Sequence, residues 1–304
     1  MRTPLFDGSG VALVTPFTRD RVGTAVLADL VAFHLAEGTD ALIVNGSTGE
    51  AATMTADEQR QVIECVVAAV RDGGRRVPVV AGVGGSATAE VVRLALQACD
   101  AGADALLLAP PPYNKPSQAG IEAHFRAVLD AADLPLVVYN VPGRTACNIL
   151  PETVERLADD ERVVGVKEAS GDIAQVAELA RRVADRIAIY SGNDDQIVPL
   201  LALGGRGVIS VLANVAPAET SRMVHAFLEG DVETSRRLQL SLLPLVDALF
   251  REPNPVPVKA AVRMLGFDVG EPRLPLLPAS DETISVLRGL IASSELTAPI
   301  ERHR

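Results

Sequence analysis

The chain has 304 residues, 48% of them hydrophobic and 22% charged, which suits one large single-core domain or two smaller ones. A net charge of −11 and the absence of Trp argue against nucleic acid or an anionic membrane as partner, since there is neither a basic stripe nor a stacking platform. No apolar run reaches membrane-span length. The opening Met-Arg-Thr-Pro-Leu-Phe-Asp-Gly has no apolar core of the kind a signal peptide needs, so a cytoplasmic location is expected. The cysteines, Cys65, Cys99 and Cys147, are odd in number and widely spaced, and fit neither a disulfide framework nor a zinc knuckle.

Short β-branched or Leu-rich runs alternate with longer amphipathic stretches. Strands are predicted at 10–14, 41–44, 77–81, 105–108, 136–139, 163–166, 187–190 and 207–210. Helices are predicted between and after them at 24–37, 56–71, 88–101, 118–131, 151–158, 173–183, 195–203 and 217–228. Thr55 with Glu58 makes a capping box for the second helix, and Pro151 suits a first helical turn. Gly38-Thr-Asp-Ala-Leu-Ile-Val44 and Gly102-Ala-Asp-Ala-Leu-Leu-Leu108 repeat one theme, a helix-ending glycine followed by a buried parallel strand. Eight such units in succession predict an α/β fold, a (β/α)8 TIM barrel over residues 1–228. A doubly wound open sheet is the alternative. Its dinucleotide fingerprint is missing, because Gly82-Val-Gly-Gly-Ser86 has the wrong spacing and reads as a tight turn. Beyond residue 229 the strand signal ends. Helices at 232–250, 258–265 and 281–293, divided by Pro253-Asn-Pro-Val-Pro257, form a C-terminal α-helical extension over 229–304, with 298–304 as a mobile tail.

In a barrel, residues just past the C-terminal ends of the strands converge on one rim. Asn45-Gly-Ser47-Thr48-Gly-Glu50 follows the second strand, Pro-Pro-Tyr113-Asn-Lys-Pro the fourth, and Tyr139-Asn-Val-Pro-Gly-Arg144-Thr the fifth. Lys167 closes the sixth, Ser191-Gly192-Asn-Asp194 follows the seventh, and Ile209-Ser210 lies at the eighth. A Gly-Ser-Thr-Gly turn can present backbone N–H groups to a carboxylate. Two tyrosines and a Ser or Thr hydroxyl can pass a proton between water and carbon, and Arg144 offers a planar fork to a second carboxylate. Taken singly, each has a plainer role: Tyr139 as a packed aromatic, Arg144 as a loop salt bridge, Ser47 and Thr48 as turn residues.

Lys167 is the most informative position. Only three of the 28 basic residues are lysines, Lys115, Lys167 and Lys259. A lysine where a buried strand hands over to a loop is partly withdrawn from water, and its amine can attack a carbonyl to form a Schiff base, which arginine cannot do. The competing reading is a structural ion pair, with Glu168 as partner. Metal catalysis fits poorly, because His34, His124 and His225 fall in outer helices and His303 in the tail. A covalent imine at Lys167 would serve as electron sink with no metal or other cofactor.

These motifs carry a resemblance. From Val14-Thr-Pro-Phe17 to Asn254-Pro-Val-Pro-Val-Lys259 the chain resembles the dihydrodipicolinate (4-hydroxy-tetrahydrodipicolinate) synthases, within the pyruvate-dependent class I aldolases that include N-acetylneuraminate lyase. The resemblance implies that Lys167 forms the imine with pyruvate, whose carboxylate sits against Thr48 and adjacent backbone. It implies Tyr139 as proton donor and acceptor, relayed through Ser47 to a Tyr113 donated by a neighbouring subunit. Arg144 would bind the carboxylate of aspartate semialdehyde, Ile209 would line the pyruvate site through its backbone, and Gly192 belongs with the substrate-binding rim. The implied assembly is a homotetramer, a dimer of dimers, and the implied pathway is lysine and diaminopimelate biosynthesis.

Arg144 is what favours this branch. Sialic acid and sugar-acid lyases share Gly-Ser-Thr-Gly-Glu and the lysine but usually lack an Arg after the Tyr-Asn-x-Pro turn, and a pyruvate-dependent lyase of a sugar acid is the alternative. Ser at 47, where the synthases more often have Thr, departs from the family. So does Pro112, where lysine-inhibited members carry a tyrosine. With Ala56 and Pro112 unable to supply contacts that those members use near Ala56, Gln59, Ser86 and Pro112, feedback by lysine is expected to be weak or absent.

Overall fold

A computed structural model describes residues 2–293. Eight parallel strands form a closed barrel: β1 (Gly8–Ala12), β2 (Ala41–Val44), β3 (Val79–Val83), β4 (Ala105–Leu108), β5 (Leu136–Asn140), β6 (Val163–Glu168), β7 (Ala188–Ser191) and β8 (Gly207–Ser210). Strands adjacent in sequence are adjacent in space, and β1 pairs with both β2 and β8 to close the ring. The principal crossover helices are α1 (Thr24–Ala36), α2 (Ala56–Asp72), α3 (Thr88–Asp100), α4 (Gln118–Ala131), α5 (Pro151–Leu157), α6 (Ile173–Val183), α7 (Ile197–Ala202) and α8 (Pro217–Leu228). Then come α9 (Val232–Leu249), α10 (Val256–Met264) and α11 (Asp281–Ser293). No described helix is long and apolar enough to cross a membrane. The tail expected at 298–304, with His303, lies outside the described residues.

Two apolar layers hold the barrel. One lies between strands and helices, and the other fills the interior with Ile43, Val80, Leu107, Val137, Tyr190 and Ile209. Phe6 closes the bottom, stacked on Tyr190 at 4.4 Å between ring centroids. The Tyr190 hydroxyl donates to the Phe6 carbonyl at 2.8 Å, which commits the third tyrosine to structure. The capping box at Thr55 and Glu58 forms as predicted, and Asp172 caps α6 by accepting from Ala174 N at 2.9 Å.

Several boundaries differ from those predicted, each for a local reason. β1 begins two residues earlier because Gly8 already pairs with Gly207, its N–H donating to the Arg206 carbonyl at 3.0 Å. At its other end the chain leaves the ladder, and Val14 N donates to Asn214 Oδ1. β3 starts at Val79 because Pro78 has no N–H for the ladder, and Asp104 Oδ2 receives Val79 N at 2.8 Å. A small hairpin, Phe17–Thr18 paired with Arg21–Val22, escaped prediction because its turn places Arg19 and Asp20 at positive φ without the usual Asn-Gly signature. The stretch read as one helix at 195–203 is a 3-10 turn, Asp194–Gln196, leading into α7.

One irregularity positions the site. The β5–β6 register shifts between Leu136 and Val137, so that Leu136 faces Val163 while Val137 faces Gly165. Val164 is the extra residue, a β-bulge. Beyond it Lys167 stands opposite Tyr139, and Asn140 opposite Glu168. Strict alternation from an inward Val164 would have turned Glu168 into the barrel; the bulge turns Lys167 inward instead.

Candidate active site

The C-terminal ends of the strands open onto a cavity of about 110 Å3, and Ser47, Thr48, Tyr139, Arg144, Lys167 and Gly192 all line it. The eight predicted positions are therefore mostly brought together. Ile209 is the first exception. Its side chain packs in the barrel interior and is absent from the cavity wall. Tyr113 is the second. It sits at φ +71° on the loop after β4 and is 91% exposed, outside the cavity of its own chain.

Lys167 is 5% exposed, with Nζ 4.3 Å from the centroid of the Tyr139 ring. The ion pair with Glu168 does not form. Glu168 points outward and accepts from both Asn140 Nδ2 (3.0 Å to Oε2) and Ser170 N (2.7 Å). Among the described residues, no carboxylate lies within 4 Å of Lys167 Nζ. The only buried lysine pair among the described residues is elsewhere: Lys259 Nζ meets Glu50 Oε1 at 2.8 Å, both side chains 1% exposed. One buried lysine is thus neutralised by a partner, and the other faces a cavity beside an aromatic ring. Gly192 explains itself by contact. A Cβ there would lie 2.6 Å from Ala169 Cβ and 3.0 Å from Lys167 Cε, so glycine leaves the lysine stem its room.

The turn after β2 is pinned from behind. Glu50 lies at φ +57°, and besides Lys259 its carboxylate accepts Arg273 N at 2.8 Å. Burial pulls the Lys259 ammonium below the ordinary lysine range, with Glu50 opposing the shift. Arg273 closes the network on Glu58, and both Lys259 and Arg273 lie over the Phe17 ring. The result is that Ser47 and Thr48 are held to the wall. Thr48 Oγ1 accepts from Asn254 Nδ2 at 2.9 Å in a buried bond.

Arg144 rides on a short helix, Pro142–Thr145, that the sequence reading did not foresee. Its described polar contact is the Asn254 carbonyl, 3.5 Å from Nη2, and no salt bridge is recorded for it among the described residues. The loop-salt-bridge alternative therefore does not hold, and the fork is open to a ligand. Asp194 Oδ2 receives Val211 N at 3.0 Å and Leu212 N at 2.8 Å; burial raises its carboxyl above the usual range, with these bonds and the charge of Lys167 opposing the shift.

Sequence reasoning missed Asn193, Phe250 and Asn254 as wall residues. Two of these come from beyond the expected 228/229 division. The available signal was an asparagine held between prolines, Pro253-Asn254-Pro255, which reads more readily as a helix divider. The histidines stay on outer elements: His34 bonds Thr39 Oγ1, His124 bonds Thr88 Oγ1, and His225 bonds Asp40.

Residues 5–293 match the Dihydrodipicolinate synthetase family. A 4-hydroxy-tetrahydrodipicolinate synthase of Thermoanaerobacter sp. (strain X514) is 50% identical over 290 residues, 95% of this chain and 97% of that protein. Its counterpart in Caldicellulosiruptor saccharolyticus is 52% identical over 286 residues, 94% and 96% of the two chains. Among solved structures, a dihydrodipicolinate synthase from Thermotoga maritima superposes with a TM-score of 0.93 at 42% identity, covering 96% of this chain and 99% of that one. With a lysine buried at the rim of a closed (β/α)8 barrel and a match along nearly its whole length, the chain belongs to the dihydrodipicolinate synthetase family.

Proposed function

We propose that this protein is a lyase that condenses pyruvate with L-aspartate 4-semialdehyde to give 4-hydroxy-tetrahydrodipicolinate, in lysine and diaminopimelate biosynthesis. The observation that carries the reading is Lys167, buried and in no salt bridge among the described residues, at a cavity that also holds Tyr139, Thr48 and Arg144.

In this reading the Lys167 amine attacks the pyruvate ketone and expels water, giving a protonated imine with no metal or other cofactor. The imine withdraws electrons from the adjacent methyl group, and loss of a proton from it gives the enamine. The enamine carbon attacks the aldehyde, whose oxygen takes up a proton. The semialdehyde's own amine then adds to the imine carbon, closes the ring and releases Lys167. Tyr139, beside Nζ, is the donor and acceptor for these transfers. Thr48 and neighbouring backbone N–H groups take the pyruvate carboxylate, with Gly192 bounding that subsite. Arg144 takes the semialdehyde carboxylate with its open fork.

Tyr113 supports an oligomer. A tyrosine this exposed cannot reach the cavity of its own chain, so the relay from Tyr139 through Ser47 needs Tyr113 of a second copy, and a homotetramer is the assembly proposed. One solved relative, 42% identical with a TM-score of 0.93, is a monomeric dihydrodipicolinate synthase variant; a sedimentation mass of four chains would support the tetramer and a mass of one chain would refute it. The proposed location is the cytoplasm.

The test is the initial rate of pyruvate consumption with aspartate semialdehyde, run beside N-acetylmannosamine and short sugar aldehydes. Preference for the semialdehyde supports the synthase; preference for a sugar aldehyde makes the protein a sugar-acid lyase. Borohydride reduction with pyruvate should add the trapped three-carbon unit to Lys167 and leave Lys167→Ala unlabelled. Full turnover by that variant would refute the imine.

A further inference from the structure

Asn254 belongs to the C-terminal helical region, yet it stands in the cavity wall between Thr48 and Arg144. It is 6% exposed. Its side-chain amide donates to Thr48 Oγ1 at 2.9 Å, and its main-chain carbonyl accepts from Arg144 Nη2 at 3.5 Å. We propose that Asn254 is a positioning residue that couples the two carboxylate subsites, fixing the Thr48 hydroxyl and the Arg144 fork for the two substrates. The proposal rests on the condensation reading above.

The Thr48 arm follows from hydrogen-bond capacity. A threonine hydroxyl has one proton to donate and can also accept. Because Thr48 Oγ1 accepts from Asn254, its proton is free for another acceptor, and among the described residues none is recorded for it. The acceptor is then a ligand in the cavity, and a carboxylate is the group that would gain most. Donation from the asparagine also polarises the Thr48 O–H, strengthening the bond it makes in turn.

The Arg144 arm is a tether. Nη2 leans on the Asn254 carbonyl while no described carboxylate forms a salt bridge with the guanidinium, so the fork is restrained near the rim and stays available. Pro255 restricts the Asn254 backbone, which makes its carbonyl a firm support. Asn254 Oδ1 is buried without a hydrogen-bond partner.

Asparagine is the side chain this arrangement requires. Aspartate has the same shape but only accepts, so it would draw the Thr48 proton away from the cavity and set an anion beside two carboxylate subsites. Alanine removes the donor and leaves the main-chain carbonyl in place. The two replacements therefore separate the loss of a hydrogen bond from the arrival of a charge.

The experiment compares Asn254→Ala, Asn254→Asp, Thr48→Val and the double variant Thr48→Val/Asn254→Ala in the full chain. The readings are the half-saturating pyruvate for borohydride trapping, KM for each substrate, kcat and the thermal midpoint. Asn254→Ala should raise half-saturating pyruvate about tenfold, the size of one hydrogen bond, with kcat held within about threefold. Asn254→Asp should raise KM for both substrates further than alanine does. In the Thr48→Val background, Asn254→Ala should add less than about twofold, because the partner is already gone. Falls in kcat and midpoint with KM unchanged would make Asn254 merely structural and overturn the proposal, as would full additivity in the double variant. Failure of the parent enzyme to consume the semialdehyde would overturn the condensation reading instead. The trapping series needs pyruvate alone and would still decide the Thr48 arm.

Discussion

Replacing Lys259 by methionine removes the cation from a pair that is 2.8 Å apart and 1% exposed on both sides. Glu50 is then left buried with Arg273 N as its remaining donor. Stranding one member of a buried pair typically costs about 3–5 kcal/mol. Unfolding entropy of roughly 2 cal/mol/K per residue gives about 0.6 kcal/mol/K for a chain of this length. The expected fall in midpoint is therefore about 5–8 °C, read by scanning calorimetry at neutral pH. Replacing both partners, Glu50→Gln with Lys259→Met, should recover most of it, since no stranded charge remains. Because Glu50 lies two residues after Thr48, the single variant should also bind pyruvate more weakly, and the double variant less so. Glu50→Gln alone strands the ammonium instead. Burial holds Lys259 below the usual lysine range, so the folded state binds that proton less tightly than the unfolded one. The penalty is present at neutral pH and fades as pH rises toward 10.5, the point at which the unfolded chain also releases the proton. A midpoint loss under about 2 °C for Lys259→Met, or a double variant as damaged as the single, would refute the account of a charge pinned behind the active-site turn.

Arg144→Ala should lower kcat/KM for the semialdehyde by about 10- to 100-fold, the range for hydrogen bonds to a charged group, while pyruvate trapping at Lys167 stays near the parent level. Equal losses in both readings would place Arg144 elsewhere in the reaction. His225 bonds Asp40 at 2.9 Å, and that bond raises its imidazole above the ordinary value. The stabilisation is fully present below about pH 6.5 and is lost as pH rises through the raised value. The midpoint gap between the parent and His225→Gln should therefore narrow from pH 6 to pH 8.5, and a constant gap would contradict the pairing. L-lysine should inhibit weakly or not at all. Ser86 Oγ is committed to the Pro112 carbonyl, Gln59 Nε2 to the Ala51 carbonyl, and Ala56 offers no polar group. Suppression of most of the activity at sub-millimolar lysine would overturn this.

The barrel, its eight units and most of the rim were legible in the amino-acid sequence, because each depends on short-range chemistry. Buried parallel strands need continuous apolar runs, helices need caps such as Thr55 with Glu58, and chain order alone dictates which residues follow each strand. Only three lysines compete for attention in this chain, so Lys167 stands out in the sequence itself.

What the sequence could not decide is which way that lysine faces. A bulge at Val164, set by pairing with β5, turns Lys167 rather than Glu168 into the barrel. Nor could it tell apart two buried lysines, one matched to Glu50 from 209 residues away and one in no salt bridge among the described residues. Asn254 was invisible as a wall residue for the same reason, since its partner Thr48 is 206 positions distant. Local pattern dictates elements. Charge pairing, register and convergence across the chain exist only once the barrel has closed.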